Sequence, residues 1–173
     1  TTGVKDTAGN TLSSQYETSS GFETSSGFTP VDFIAPTVYL VTTTADNQSS
    51  VSITDNITVT FSEAMDTTYI TTSTSDTNCA GTIRVSSDNF STCVRMYSEP
   101  VSSNSNKTFT LDPYENLTRL TTYLTRVTTG VKDTAGNTLS SQYETSSGFE
   151  TSSGFTPVDF IAPTVYLVTT TAD

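Results

Sequence analysis

The side chains best suited to chemistry in this sequence are oxygen donors. Glu63 and Asp66 close the run NITVTFSEAMD, Asp133 and Asn137 bracket the loop DTAGN, and Asp32 stands in the proline-framed segment TPVDFIAP. Carboxylates and amides of this kind suit calcium, which takes about six to eight oxygen ligands. Two cysteines, Cys79 and Cys93, flank AGTIRVSSDNFST, and the chain contains no histidine. Lack of His excludes a Ser-His-Asp or Cys-His nucleophile within the chain. It also leaves a zinc site without the ligands it needs beyond two thiolates. Neither a Gly-rich phosphate loop nor a G-x-S-x-G elbow is present. The Glu63 and Asp66 pair has the residue types of a glycosidase acid and base, but nothing in the sequence builds a cleft around it. No catalytic residue and no organic-cofactor site is assigned, and the chain reads as non-enzymatic.

Acidic residues number 18 and basic residues 7, a net charge of −11. Such a field repels nucleic acid and anionic membranes and collects cations. No run of about 18 apolar residues crosses the sequence, so no transmembrane helix is expected in this window. Thr contributes 39 and Ser 25 of the 173 residues. Thr favours half-exposed pleated strands, which points to β structure with polar outer faces.

The elements that must position the acids are strands. Apolar residues alternate in TVYLVTT (37–43), NITVTFSEAM (56–65), GTIRVSS (81–87), TCVRMYS (92–98), KTFTLDP (107–113) and LTTYLTRVTTG (120–130). That two-residue period marks strands with one buried face. It sends Ile57, Val59 and Phe61 inward from the second run, and Tyr123, Thr125 and Val127 from the sixth. The polar run at 140–155 reads as a long edge strand or a strand with a small extension. The SSGF pairs place Phe22, Phe28, Phe149 and Phe155 either at the end of the core or, in the competing reading, on a docking surface between chains. DNQSS, SSDN, SNSN, DPYEN and DTAGN supply turns between them. Short strands at this spacing, without helical periodicity, predict an all-β, immunoglobulin-like antiparallel β-sandwich. With no Trp in the chain, Phe61, Phe109 and Tyr123 are the expected core aromatics.

Residues 1–46 return letter for letter at 128–173, an offset of 127. A period of that length suits a whole small domain rather than a solenoid unit. The expectation is a tandem repeat array, of which this chain spans one period and part of the next. Residues 1–33 are then the C-terminal strand region of a preceding repeat, 34–160 one complete repeat with its linker, and 161–173 the first strand of the following repeat. Pro30 and Pro36 stiffen the junction.

The stretches APTVYLVTTTADNQSSVSITDNITVTFSEAMDTT and TTYLTRVTTGVKDTAGNTL resemble the bacterial Ig-like domain of S-layer proteins and large adhesins. The resemblance covers most of one repeat, excepting the cysteine segment and the doubled ETSSGF. It implies a non-catalytic extracellular module used in arrays.

Strand direction in such a sandwich gathers the acids. The first strand leaves the N-terminal pole, and the second and sixth return to it. Asp32, Glu63, Asp66, Asp133 and Asn137 therefore meet at the repeat junction, where they are candidate calcium ligands; Asp6 and Asp159 are the corresponding copies. The competing reading is a plain Asx turn at DTAGN, with Lys132 neutralising Glu63 or Asp66. Cys79 and Cys93 would face each other across two short strands, giving a disulfide and implying an oxidising compartment; reduced structural thiols are the alternative. The function expected is a structural module of an extracellular or cell-surface fibre or stalk. Its expected partners are identical neighbouring repeats, head to tail, and other copies of the chain in a fibre, assembled as a regular filament. A multivalent adhesin repeat is the alternative, although no aromatic sugar platform is visible in the sequence.

Overall fold

The protein was analysed as a computed structural model, which describes residues 3–12, 14, 17, 18, 20, 21, 31–40 and 42–154. Two units divide the chain, Thr1–Val31 and Asp32–Asp173. In the first, Lys5 and Thr11 pair as an antiparallel bridge around the DTAGN turn. Asp159 and the segment 161–173 lie outside the described residues, as do Phe22, Phe28 and Phe155.

The second unit is a two-layer sandwich. One sheet runs in the order β1 (Val38–Tyr39), β3 (Ile57–Phe61), β6 (Thr108–Leu111) and β5 (Val101–Ser103). The other runs β2 (Gln48–Val51), β9 (Phe149–Thr151), β7 (Thr122–Val127) and β4 (Ile83–Ser86), with β8 (Tyr143–Glu144) also on β7. Among the described residues every strand pair is antiparallel except β2 with β9, which is parallel.

Alternation explains which faces meet. Ile57, Val59 and Phe61 are buried on β3, with Ile57 opposite Leu111 and Val59 opposite Phe109. Phe61 and Phe109 then meet edge to face, centroids 5.8 Å apart. From the other sheet, β7 buries Tyr123, Thr125 and Val127, and β4 places Ile83 against Val127. Tyr123 stacks on Phe149 at 5.6 Å. Each such aromatic contributes about 1.5–3 kcal/mol through burial.

Three local expectations differ from the structure. The segments around DNQSS and SNSN carry β2 and β5 beside their turns, although neither shows apolar alternation. Both sit against positive-φ residues, Asn47 and Asn104 among them, so tight turns deliver them to existing strands. The run 92–98 is not a regular strand: Val94 N–H donates to Val85 and Met96 bridges Pro113. Finally, β9 is interior, between β2 and β7. Phe149 is fully buried there and explains that position.

Asp46 sets up this last strand. Its carboxylate accepts from Ser146 N–H (3.1 Å), Ser146 Oγ (2.8 Å), Ser147 N–H (2.9 Å) and Gly148 N–H (2.6 Å). Gly148 has φ +70°, and a Cβ on it would collide with the Tyr123 carbonyl.

Candidate metal centre

DTAGN folds by itself. Asp133 Oδ1 accepts from the backbone N–H groups of Ala135 and Asn137, each at 2.8 Å, and its Oδ2 accepts from Asn137 Nδ2 at 2.8 Å. Gly136 supplies φ +94°. The copy at Asp6 forms the same turn, accepting from Ala8 N–H and Asn10 N–H at 2.9 Å and from Asn10 Nδ2 at 3.0 Å. The Asx turn is thus a property of the five residues. It aims a carboxylate without the rest of the sandwich.

Tertiary structure brings the other acids to Asp133. Met65, just past β3, bridges Asp133, just past β7; Thr134 N–H donates to Ala64 and Asp66 N–H to Lys132. This crossing joins the two sheets at the N-terminal pole and holds Glu63 beside Asp133. Asn137 Nδ2 also donates to the carbonyl oxygen of Asp32 at 3.1 Å, and Asp32 Oδ1 accepts from Ile34 N–H at 2.8 Å. One carboxylate oxygen each from Asp32, Glu63 and Asp133 lies within 4.8 Å of the others.

Of the sequence-derived set, then, Asp32, Glu63 and Asp133 converge. Asn137 braces two of them through its amide nitrogen. Asp66 turns aside to cap the single-turn 3-10 helix Thr67–Tyr69, accepting from Thr68 N–H at 3.0 Å and Thr68 Oγ1 at 2.7 Å. Lys132 does not neutralise the cluster: its Nζ sits 4.4 Å from the Tyr69 ring centroid. Among the described residues no ion pair reaches Asp32, Glu63 or Asp133.

The electrostatic consequence falls on Glu63. Burial, then the charges of Asp32 and Asp133, push its carboxyl above the usual range, and hydrogen bonds with both acids favour a retained proton. Burial also acts to raise Asp133, but the Asn137 side chain and the N–H groups of Asn137, Ala135 and Gly136 outweigh it and hold it low. Asp66 is held low by the Thr68 hydroxyl and N–H, with Lys132 adding to the effect. A cation among the three acids would relieve the repulsion that raises Glu63. Three carboxylates are a hard-oxygen donor set, and the cluster could hold a metal ion.

Cys79 and Cys93 form a disulfide, Cα atoms 5.0 Å apart. Only β4 lies between them, so the closing contact is Cys93 N–H to the Thr77 carbonyl at 2.8 Å rather than a facing strand. Sequence reasoning passed over Asp46, whose partners lie about a hundred residues away. It also passed over Arg95, Tyr97 and Tyr114, which loops bring together: Arg95 lies 3.4 Å above the Tyr114 ring, and Tyr97 stacks on Tyr114 at 6.2 Å.

Similar solved structures include the N-terminal part of the bacterial S-layer protein SbsC, at 22% identity and a TM-score of 0.46, covering 69% of this chain and 24% of that one. Domains 1–6 of surface layer protein SbsC match at 20% identity and a TM-score of 0.44, covering 69% of this chain and 14% of that one. The chain therefore spans a quarter or less of those proteins. No curated protein matches it in sequence. The family model described as bacterial Ig-like domain matches residues 32–151, the span of the sandwich, and the chain belongs to the bacterial Ig-like domain family.

Proposed function

We propose that this chain is a structural repeat module of a bacterial extracellular or cell-surface fibre or stalk, without catalytic activity. The observation that carries the reading is the placement of the sandwich's two ends. β1 departs from the pole holding Asp32, β7 runs back to it, and β9 is antiparallel to β7. The chain therefore enters at one pole and leaves at the other, which suits head-to-tail extension. Letter-for-letter identity at an offset of 127 gives every junction in an array the same residues. Equal junctions generate a constant rise and rotation, the condition for a regular filament. The disulfide suits an oxidising compartment, and the acidic surface keeps crowded repeats apart.

In this reading calcium binds at the N-terminal pole through Asp32, Glu63 and Asp133, with Asn137 orienting two of them. Bound there, it would tie the linker residue Asp32 to the loops after β3 and β7. Electron microscopy of the native assembly tests the proposal. Thin filaments with an axial repeat of one domain are expected; two-dimensional sheets or isolated globules would overturn it.

A further inference from the structure

We infer that each repeat carries a second site, a groove beside the disulfide that binds an acidic saccharide through Arg95. This does not depend on the fibre role or on calcium. The groove is a cavity of about 320 Å³. One wall is the disulfide segment at Thr77 and Cys93, and the other is the loop Tyr114–Leu117.

Both walls are fixed. Cys93 is bonded to Cys79, Leu117 N–H donates to the Ile53 carbonyl at 2.9 Å, and Tyr114 N–H donates to the Arg95 carbonyl at 2.9 Å. Arg95 lies flat on Tyr114, its guanidinium carbon 3.4 Å from the ring centroid. Its Nε is buried with no hydrogen-bond partner, and among the described residues the guanidinium forms no ion pair. Burying an unpaired charged donor is costly. Among the described residues only Arg126 of the seven bases forms an ion pair; what sets Arg95 apart is a buried Nε that no acceptor reaches, in a side chain held against Tyr114 beside a groove.

With Nε buried, the edge left for a carboxylate is the planar fork of the two terminal Nη groups. Beyond it, Tyr97 is 71% and Tyr114 49% exposed, stacked at an interplanar angle of 17°. Tyr114 lines the groove with one face under Arg95, and the exposed Tyr97 ring beside it suits the C–H face of a pyranose, as aromatic side chains offer large, rigid amphipathic area. Thr77, Glu115 and Asn116 add hydroxyl, carboxylate and amide groups for sugar hydroxyls. Glu115 would repel an acid at its own end, which orients the sugar with its carboxylate toward Arg95. A uronic-acid-type residue of an extracellular polysaccharide fits all of these groups, and repetition along an array would multiply weak binding into avidity.

The test titrates the 173-residue chain with oligogalacturonate, followed by amide chemical shifts and tyrosine fluorescence, beside neutral oligogalactose and acetate. Saturable binding is expected, with shifts centred on residues 93–97 and 114–117. Arg95→Gln should weaken it at least tenfold and Tyr97→Ala several-fold, with melting curves confirming that both variants are folded. Equal binding of the neutral oligomer, equal binding of acetate, unchanged affinity in folded Arg95→Gln, or no binding of oligogalacturonate at millimolar concentration would each overturn the assignment.

Discussion

Met65 and Asp133 face each other as an antiparallel bridge, although they leave strands of different sheets. The segment after β3 is thereby laid against the loop after β7, and Glu63 comes to rest beside a carboxylate that its own sheet does not supply. The acidic cluster follows from this crossing, which sets Glu63 beside the Asp133 carboxylate that the local turn presents, while Asn137 anchors Asp32 next to both.

Calcium should stabilise the domain by relieving that repulsion. At about a hundred times its dissociation constant, a ligand specific to the native state adds about 2.7 kcal/mol. Calorimetry should show a higher melting temperature with calcium and a lower one with chelator, and Asp133→Asn should remove the difference. Identical melts with and without calcium would eliminate the metal.

Glu63 also makes stability depend on pH. Its folded carboxyl binds protons more tightly than the unfolded one, so between the two values the native state holds more protons. Metal-free stability must then fall as pH rises through the window just above the usual 4.5. Glu63→Gln should flatten that window and raise metal-free stability at neutral pH by about 0.5–1 kcal/mol, the scale of partly exposed charge interactions. Urea denaturation at a series of pH values measures both.

Asp88 works in the opposite direction. The Thr92 hydroxyl and N–H and the Ser86 hydroxyl hold its pKa at about 2, below the ordinary 3.8. Its contribution is present above the ordinary value and is lost as pH falls from about 4 toward 2. Carboxyl chemical-shift titration should give that low value in the native chain and a rise toward the ordinary one in Thr92→Val.

Reduction should weaken the unit. The disulfide closes a loop with a sequence separation of 14, for which chain-entropy arguments give about 3 kcal/mol. Chemical denaturation with and without reductant should differ by that order, and intact mass should rise by about two daltons per bond on reduction. Detection of two free thiols in the untreated protein would contradict the pairing.

Gly148→Ala should cost about 3 kcal/mol, because the new Cβ meets the Tyr123 carbonyl at a positive φ. The same change at Gly136, where nothing lies within 4 Å, should cost only the backbone strain, about 1 kcal/mol. Paired denaturation curves separate a steric slot from a turn requirement.

Much of this was legible in the letters, for physical reasons. Strands β3, β4, β6 and β7 each bury alternate side chains, and that burial writes a period of two into the sequence. β2, β5 and β8 are Gln-Ser-Ser-Val, Val-Ser-Ser and Tyr-Glu, which join by backbone pairing and leave no such trace. In the cluster, strand direction sufficed to bring Glu63 and Asp133 to one pole. It could not foresee that Asp66 would turn its Oδ1 to Thr68, a local competition decided over two residues. Nor could it find Asp46 or the Arg95–Tyr114 stack. Those contacts depend on which loops become neighbours, and loops carry no periodicity.

If the domain extends a chain from pole to pole, solution X-ray scattering from polypeptides of one, two and four 127-residue periods will show it. The maximum dimension should grow in proportion to the number of periods, with a rod-like cross-section in calcium. Growth as the cube root of mass, the behaviour of a compact globule, would contradict it.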